Sequence, residues 1–301
     1  MSHTVDCCAG IAAVVMALAP VAGSARPDAA AMIAGLPYSR DFHVVEFRRY
    51  TIKRGQRDAF ARYFETFFPE AFQQLGALAV GQFFEQDHAD GFTWIRAFKS
   101  MEDRAIVNSA FYYGPVWKEH MATLNDLMLD SDNVLLLTPL DAQRGMAILP
   151  AVDPVVEPTS ERGVVLAQIL QASPDTMMEL TRRAAPMFEK YVAAGAREAA
   201  VYVSLNVPNN FPQLPIRTDG PYLVWIGLVP GDAAVKARVL AEMNRAGHIL
   251  AETVPEQAPL GQVSTGQGVS LVRGLPEVIV MTPTARSRLR WLTGMEQAAP
   301  R

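Results

Sequence analysis

The sequence predicts an α+β chain built from two ferredoxin-like units. Each unit reads strand, helix, strand, strand, helix, strand, and the two close on one another as a barrel. Three observations predict it. Short stretches recur in the same order in both halves: "HVVEFRRYT" at 43–51 against "GVVLAQILQ" at 163–171, "FTWIRAF" around Trp94 against "YLVWIGL" around Trp225, and "VLLLTPL" at 134–140 against "VIVMTPT" at 278–284. Apolar residues alternate within these stretches and recur at helical spacing between them. In such a unit the helices cover one sheet face only, so the bare faces of two sheets bury each other.

The first unit spans 42–140. Residues 43–52 alternate and are rich in Val and Phe, which suits a strand. The helix that follows carries Phe60, Tyr63, Phe64, Phe67 and Phe68 on one stripe, with Pro69 expected to bend or restart it and Gly76 to end it. "LAVGQFFEQ" and "FTWIRAFKS" are strands joined by the turn "HADG". One long helix is expected from Ser100, a cap, with Glu102 and Asp103 in its dipole-favoured first turn. "NVLLLTPL" closes the unit.

A linker at 141–162 is Pro-rich and reads as extended. The second unit spans 163–283. Its helices are expected near 175–194 and 232–252, and its later strands near 199–205, around Trp225 and near Val278. It carries two inserted loops, "VPNNFPQLPIRTDG" and "PEQAPLGQVSTGQG". The tail at 284–301 places Arg286, Arg288 and Arg290 before Trp291 and reads as a solvated terminal helix.

Composition excludes several classes. The 301 residues are 50% hydrophobic and 19% charged, with a formal net charge of −4, so neither a basic balance nor a basic stripe points to nucleic acid. Cys7 and Cys8 are the only cysteines, which leaves no disulfide framework and no cysteine metal site. No metal pattern, catalytic triad or phosphate loop appears, and no cofactor is expected. Residues 1–41 contain the apolar run 9–25, too short for a membrane span. It resembles an export signal ending at Gly23-Ser24-Ala25, although no Lys or Arg precedes it, and a disordered Ala-rich segment is the alternative. A signal there implies a periplasmic or secreted protein; otherwise the chain is cytoplasmic. A homo-oligomer is compatible with everything above.

Strand one poses the functional question. Glu46, Arg48 and Tyr50 share one parity, and Val45 and Phe47 the other. On the neighbouring third strand Trp94, Arg96 and Phe98 share a parity. A charged Arg96 under two helices would be poorly solvated, so the polar set is expected to face the space between the two sheets. Glu46 then neutralises at least one arginine. The second copy places Leu166, Gln168 and Leu170 opposite, with Trp225 retained and Gly227 at the Arg96 position. One charged wall facing one apolar wall suits an amphipathic small molecule, and an anionic group on it would suit the spare arginine. The proposed roles are Glu46 as base or ion-pair partner and Tyr50 as hydrogen-bond donor. Arg48 and Arg96 clamp the anion, Gln168 lines the site, and Trp94 and Trp225 form its walls. A structural ion-pair network is the alternative.

At these residues the chain resembles the NIPSNAP family of the dimeric α/β-barrel superfamily. The family's opening motif appears as Glu46-Phe47-Arg48-Arg49-Tyr50-Thr51-Ile52-Lys53-Arg54-Gly55, and the Trp94–Phe98 strand followed by "SMEDRA" matches later. Residues 42–140 carry the resemblance, whereas 163–283 lack the Glu-Arg-Tyr triplet. The resemblance implies the same duplicated barrel. Relatives in the wider superfamily include cofactor-independent monooxygenases, isomerases and haem proteins. The expected function is therefore binding of a small organic ligand, with a cofactor-independent monooxygenase or isomerase activity left open. The alternatives are a non-enzymatic scaffold with a filled barrel, or a haem protein using an axial ligand such as His248.

Overall fold

The computed structural model describes residues 37–142, 146, 148, 162–255 and 268–291. The export-like run, both cysteines and most of the linker, second inserted loop and terminal tail lie outside these residues. After a short 3-10 turn at Pro37–Asp41, the first unit runs β1 (Val44–Ile52), α1 (Arg57–Gln74), β2 (Leu78–Glu85), β3 (Gly91–Phe98), α2 (Met101–Tyr112), α3 (Pro115–Leu127) and β4 (Met128–Pro139). The second runs β5 (Val164–Gln171), α4 (Met177–Ala193), β6 (Arg197–Ser204), β7 (Tyr222–Val229) and α5 (Ala233–Ala251). A small ribbon of β8 (Thr253–Pro255) and β9 (Gly268–Ser270) follows, then β10 (Glu277–Pro283).

Eight strands close into one antiparallel barrel in the order β1-β3-β2-β10-β5-β7-β6-β4. Each unit contributes a four-stranded sheet with its first and third strands adjacent. The seams are β2 against β10 and β4 against β6. The closed ring leaves no free strand edge.

Apolar residues form three layers. The barrel interior is a single core fed by both units, with Val45, Phe47, Ile95 and Leu137 from one and Val165, Ala167, Val224 and Ile226 from the other. A second layer lies between the first sheet and α1–α3, and a third between the second sheet and α4–α5.

Local chemistry explains three departures from the sequence reading. The expected single helix from Ser100 is two helices, because Pro115 cannot donate its backbone nitrogen and starts α3 afresh after Gly114. Ser100 does cap α2, accepting from the Asp103 backbone N–H at 3.1 Å. Pro69 does not restart α1, which runs through it as one element. Proline leaves the Glu65 carbonyl without its helical donor, and Arg286 Nη1 supplies one at 2.7 Å. That contact belongs to the third departure. Residues 284–291 are not a solvated helix but a strap packed on the barrel. Leu289 and Trp291 enter the interior core, and the Leu289 and Trp291 backbone N–H groups donate to the carbonyls of Val80 and Arg162.

Candidate ligand cavity

Strand parity is opposite to the expectation. Cross-strand partners share a face, and Glu46 pairs with Arg96 while Arg48 pairs with Trp94. Tyr50 and Trp94 pack with Phe60, Phe64, Phe68 and Phe72 of α1 in the helix-side layer. Val45 and Phe47 instead fill the barrel. The polar set therefore lies between the sheet and the helices, not between the two sheets. The expectation failed because it treated the helix layer as unable to hold a guanidinium. Here that layer holds the Glu46 carboxylate, a third arginine borne on a helix and aromatic faces.

The arrangement is centred on Glu46, which is fully buried. Its Oε2 accepts from Arg48 Nη1 at 2.8 Å and Arg96 Nε at 2.6 Å. Its Oε1 accepts from Arg104 Nε of α2 at 2.6 Å. Burial pushes the Glu46 carboxyl up, but the guanidiniums of Arg96, Arg48 and Arg104 outweigh it and hold the group well below the usual carboxylate range. A carboxylate so held is a counter-ion and a poor proton acceptor at neutral pH, which removes the role of base from Glu46.

One carboxylate does not balance three guanidiniums. Arg96 has its Cζ 4.7 Å from the Phe72 ring centroid and 5.0 Å from that of Trp94, so aromatic faces take up part of its charge. Its two terminal nitrogens, and Arg104 Nη2, have no hydrogen-bond partner among the described residues. Arg48 gives Nε to the Tyr50 hydroxyl at 2.8 Å and Nη1 to Glu46, which leaves Nη2.

Beside Arg48 opens a cavity of about 350 Å³. Arg48, Phe72 and Trp94 form a buried floor. Phe64 and Phe68 of α1, Phe111 and Tyr112 of α2 and Trp117 of α3 are among the walls. Exposed Asn125 and Gln213 sit at the rim with half-buried Ser131. Burial pushes the Tyr112 phenol up against the pull of Arg96 and Arg48, so it stays a neutral donor. Its hydroxyl has no hydrogen-bond partner among the described residues.

The family model of NIPSNAP matches residues 45–142. The first unit is a NIPSNAP domain. No curated protein matches the chain. Among solved structures, a candidate monooxygenase from Lactobacillus acidophilus NCFM is similar over 83% of this chain and 99% of its own, with 12% identity and a TM-score of 0.46. An anthrone oxidase-like protein is similar over 82% and 93%, with 11% identity and a TM-score of 0.48. A NIPSNAP family protein from Agrobacterium tumefaciens strain C58 is similar over 33% of this chain and 89% of its own, with 24% identity and a TM-score of 0.31. The chemistry of the cavity rests on its own residues.

The expected site residues divide between two places. Glu46, Arg48, Tyr50, Trp94 and Arg96 come together in the NIPSNAP domain. Gln168 and Trp225 lie under α4 and α5 of the second unit, with the barrel core in between. There the equivalent space is filled. Tyr191 donates to Gln168 Oε1 at 2.7 Å, Gln168 Nε2 donates to the Met243 carbonyl at 3.0 Å, and the Trp225 indole lies over Gly227. A Cβ at position 227 would stand 2.1 Å from the indole, so the absence of a side chain there lets tryptophan close the space. Gln168 and Trp225 are thus corrected from ligand contacts to packing residues.

Sequence reasoning missed Arg104, Tyr112 and the roof residues of the first inserted loop. Arg104 was legible as the arginine of "SMEDRA", set by its cap four residues after Ser100. Tyr112 gave no signal, and the loop was legible as an insertion but not as a neighbour of the first unit. Among the described residues no helix is long and apolar enough to cross a membrane, and no group of three or more His, Cys, Asp or Glu is placed to hold a metal ion. No histidine lines the cavity, and His248, the haem ligand suggested by sequence, is exposed on α5.

Proposed function

We propose that the NIPSNAP domain binds one small aromatic organic anion in the cavity between its sheet and its helices. The observation that carries this reading is the surplus of buried guanidinium over carboxylate beside an aromatic-walled space. A buried cation without a counter-charge is costly, and an incoming anion relieves that cost. The ligand's oxyanion accepts from Arg48 Nη2 and from the Tyr112 hydroxyl. Its ring packs among Phe64, Phe68, Phe72 and Trp94. Glu46, Arg96 and Arg104 position Arg48 and set the local charge. The filled second unit makes the stoichiometry one ligand per chain. For an enzyme, this geometry supplies an anion clamp and a neutral phenol donor, with the proton acceptor left to the substrate or to solvent.

Titration of the purified chain with 2-naphthoate by isothermal calorimetry tests the reading. Saturable binding with one site is expected, weakened by about tenfold or more in Arg48→Met through loss of a charge-assisted contact of roughly 1.5–3 kcal/mol. Equal binding by the folded Arg48→Met variant, or no binding by the unaltered chain, contradicts it.

A further inference from the structure

The cavity has a roof that the NIPSNAP domain does not supply. In that domain the β2–β3 connection is a tight turn around His88–Asp90. The matching β6–β7 connection in the second unit is the long inserted loop that follows Ser204. Because β6 hydrogen-bonds to β4 across the barrel seam, the loop leaves its own unit beside the first one. It then runs along β4: Leu205 N donates to the Leu136 carbonyl at 2.9 Å and Arg217 N to the Val134 carbonyl at 2.8 Å.

Between those two anchors the loop folds on itself and over the cavity. Asn209 Nδ2 donates to the Leu214 carbonyl at 2.9 Å, and Phe211 N donates to Asn209 Oδ1 at 3.1 Å. Arg104 Nη1 donates to Asn209 Oδ1 at 3.0 Å and to Asn210 Oδ1 at 2.7 Å. Gln213 donates to the Tyr113 hydroxyl. The Phe211 side chain is buried, 5.8 Å from the Tyr112 ring by centroids, and it lines the cavity.

We infer that this loop is the specificity element of the first unit's cavity, with Phe211 closing the space over the ligand's ring and setting the length of ligand accepted. The inference rests on reading the cavity as an aromatic-anion site. Arg104 ties the roof to the ion cluster, since one guanidinium holds Glu46 through Nε and the two asparagines through Nη1. The asparagine oxygens are neutral acceptors, so they hold the loop without cancelling the positive charge that attracts the anion. The second copy therefore serves the first in two ways, completing the barrel and supplying the aromatic side chain that limits the site.

Affinities of benzoate and biphenyl-4-carboxylate, measured by calorimetry on the full chain and on Phe211→Ala, test the inference. Opening the roof is expected to shift the biphenyl-to-benzoate affinity ratio toward the longer acid by about tenfold, the scale of truncating an aromatic anchor. Phe211→Leu, which keeps an apolar cap, is expected to fall between the two. An unchanged ratio in both folded variants overturns the roof's role while leaving the anion site standing. No binding of either acid to the unaltered chain overturns the anion reading and the roof with it. If Phe211→Ala does not fold, Phe211→Leu decides: a shifted ratio supports the inference and an unshifted one refutes it.

Discussion

Glu46 sets the charge balance of the NIPSNAP domain. Without it, three buried guanidiniums would face each other across a few ångströms of low-dielectric protein. Glu46→Gln is expected to destabilise the chain by about 3–5 kcal/mol, the usual scale for removing one partner of a buried ion cluster, as measured by urea unfolding. A change under about 1 kcal/mol would show that the arginines find solvent or each other tolerable. The same group sets an acid limit. Its folded-state pKa lies below the unfolded value, so the stabilisation is present above the ordinary carboxylate range near pH 4 and fades as pH falls below it. The acid branch of the stability curve should therefore flatten in Glu46→Gln. At this scale the sequence was legible in content and not in direction. Alternation placed Glu46, Arg48 and Tyr50 on one face, and Arg96 with Trp94 beside them. Both faces of this sheet are buried, so periodicity alone carries no sign. The deciding partner, Arg104, sits on a helix outside the alternating stretch.

Among the elements, helices and strands were legible because apolar spacing is a local property. Ser100 and Asp232 announce α2 and α5, and both accept the backbone N–H three residues on. Breaks and repairs were less so. Pro115 splits a helix, whereas Pro69 and Pro186 do not split theirs. At Pro69 the repair comes from far along the chain, where Arg286 of the strap satisfies the carbonyl that proline orphans. The same arginine pairs with Glu70 one turn on. Arg286→Met should leave the Glu65 carbonyl without its donor and cost about 1–3 kcal/mol in chemical denaturation. Hydrogen exchange should then rise in the second half of α1 ahead of the barrel strands. Unaltered stability and exchange would mean that the strap holds on through Leu289 and Trp291 alone.

For the whole molecule, two units of the same strand order let one chain close a barrel, and their helix-side layers differ. Among the described residues the interior between the sheets is filled by apolar core, with the Arg49–Glu85 ion pair and Thr93 at one end of it. The cavity proposed for the ligand lies under the helices of the first unit, while Trp225 and Gln168 occupy the matching space in the second. Repeats in the sequence revealed the closure. They did not reveal the asymmetry, because a cavity depends on how side chains from α1, α2, α3 and a distant loop meet. The most direct test is a crystal of the chain soaked in 4-bromobenzoate, with bromine located by its anomalous scattering. One bromine per chain is predicted, between the first sheet and α1–α3, with the carboxylate on Arg48. A bromine in the barrel interior, in the second unit, or at no ordered position would contradict the account.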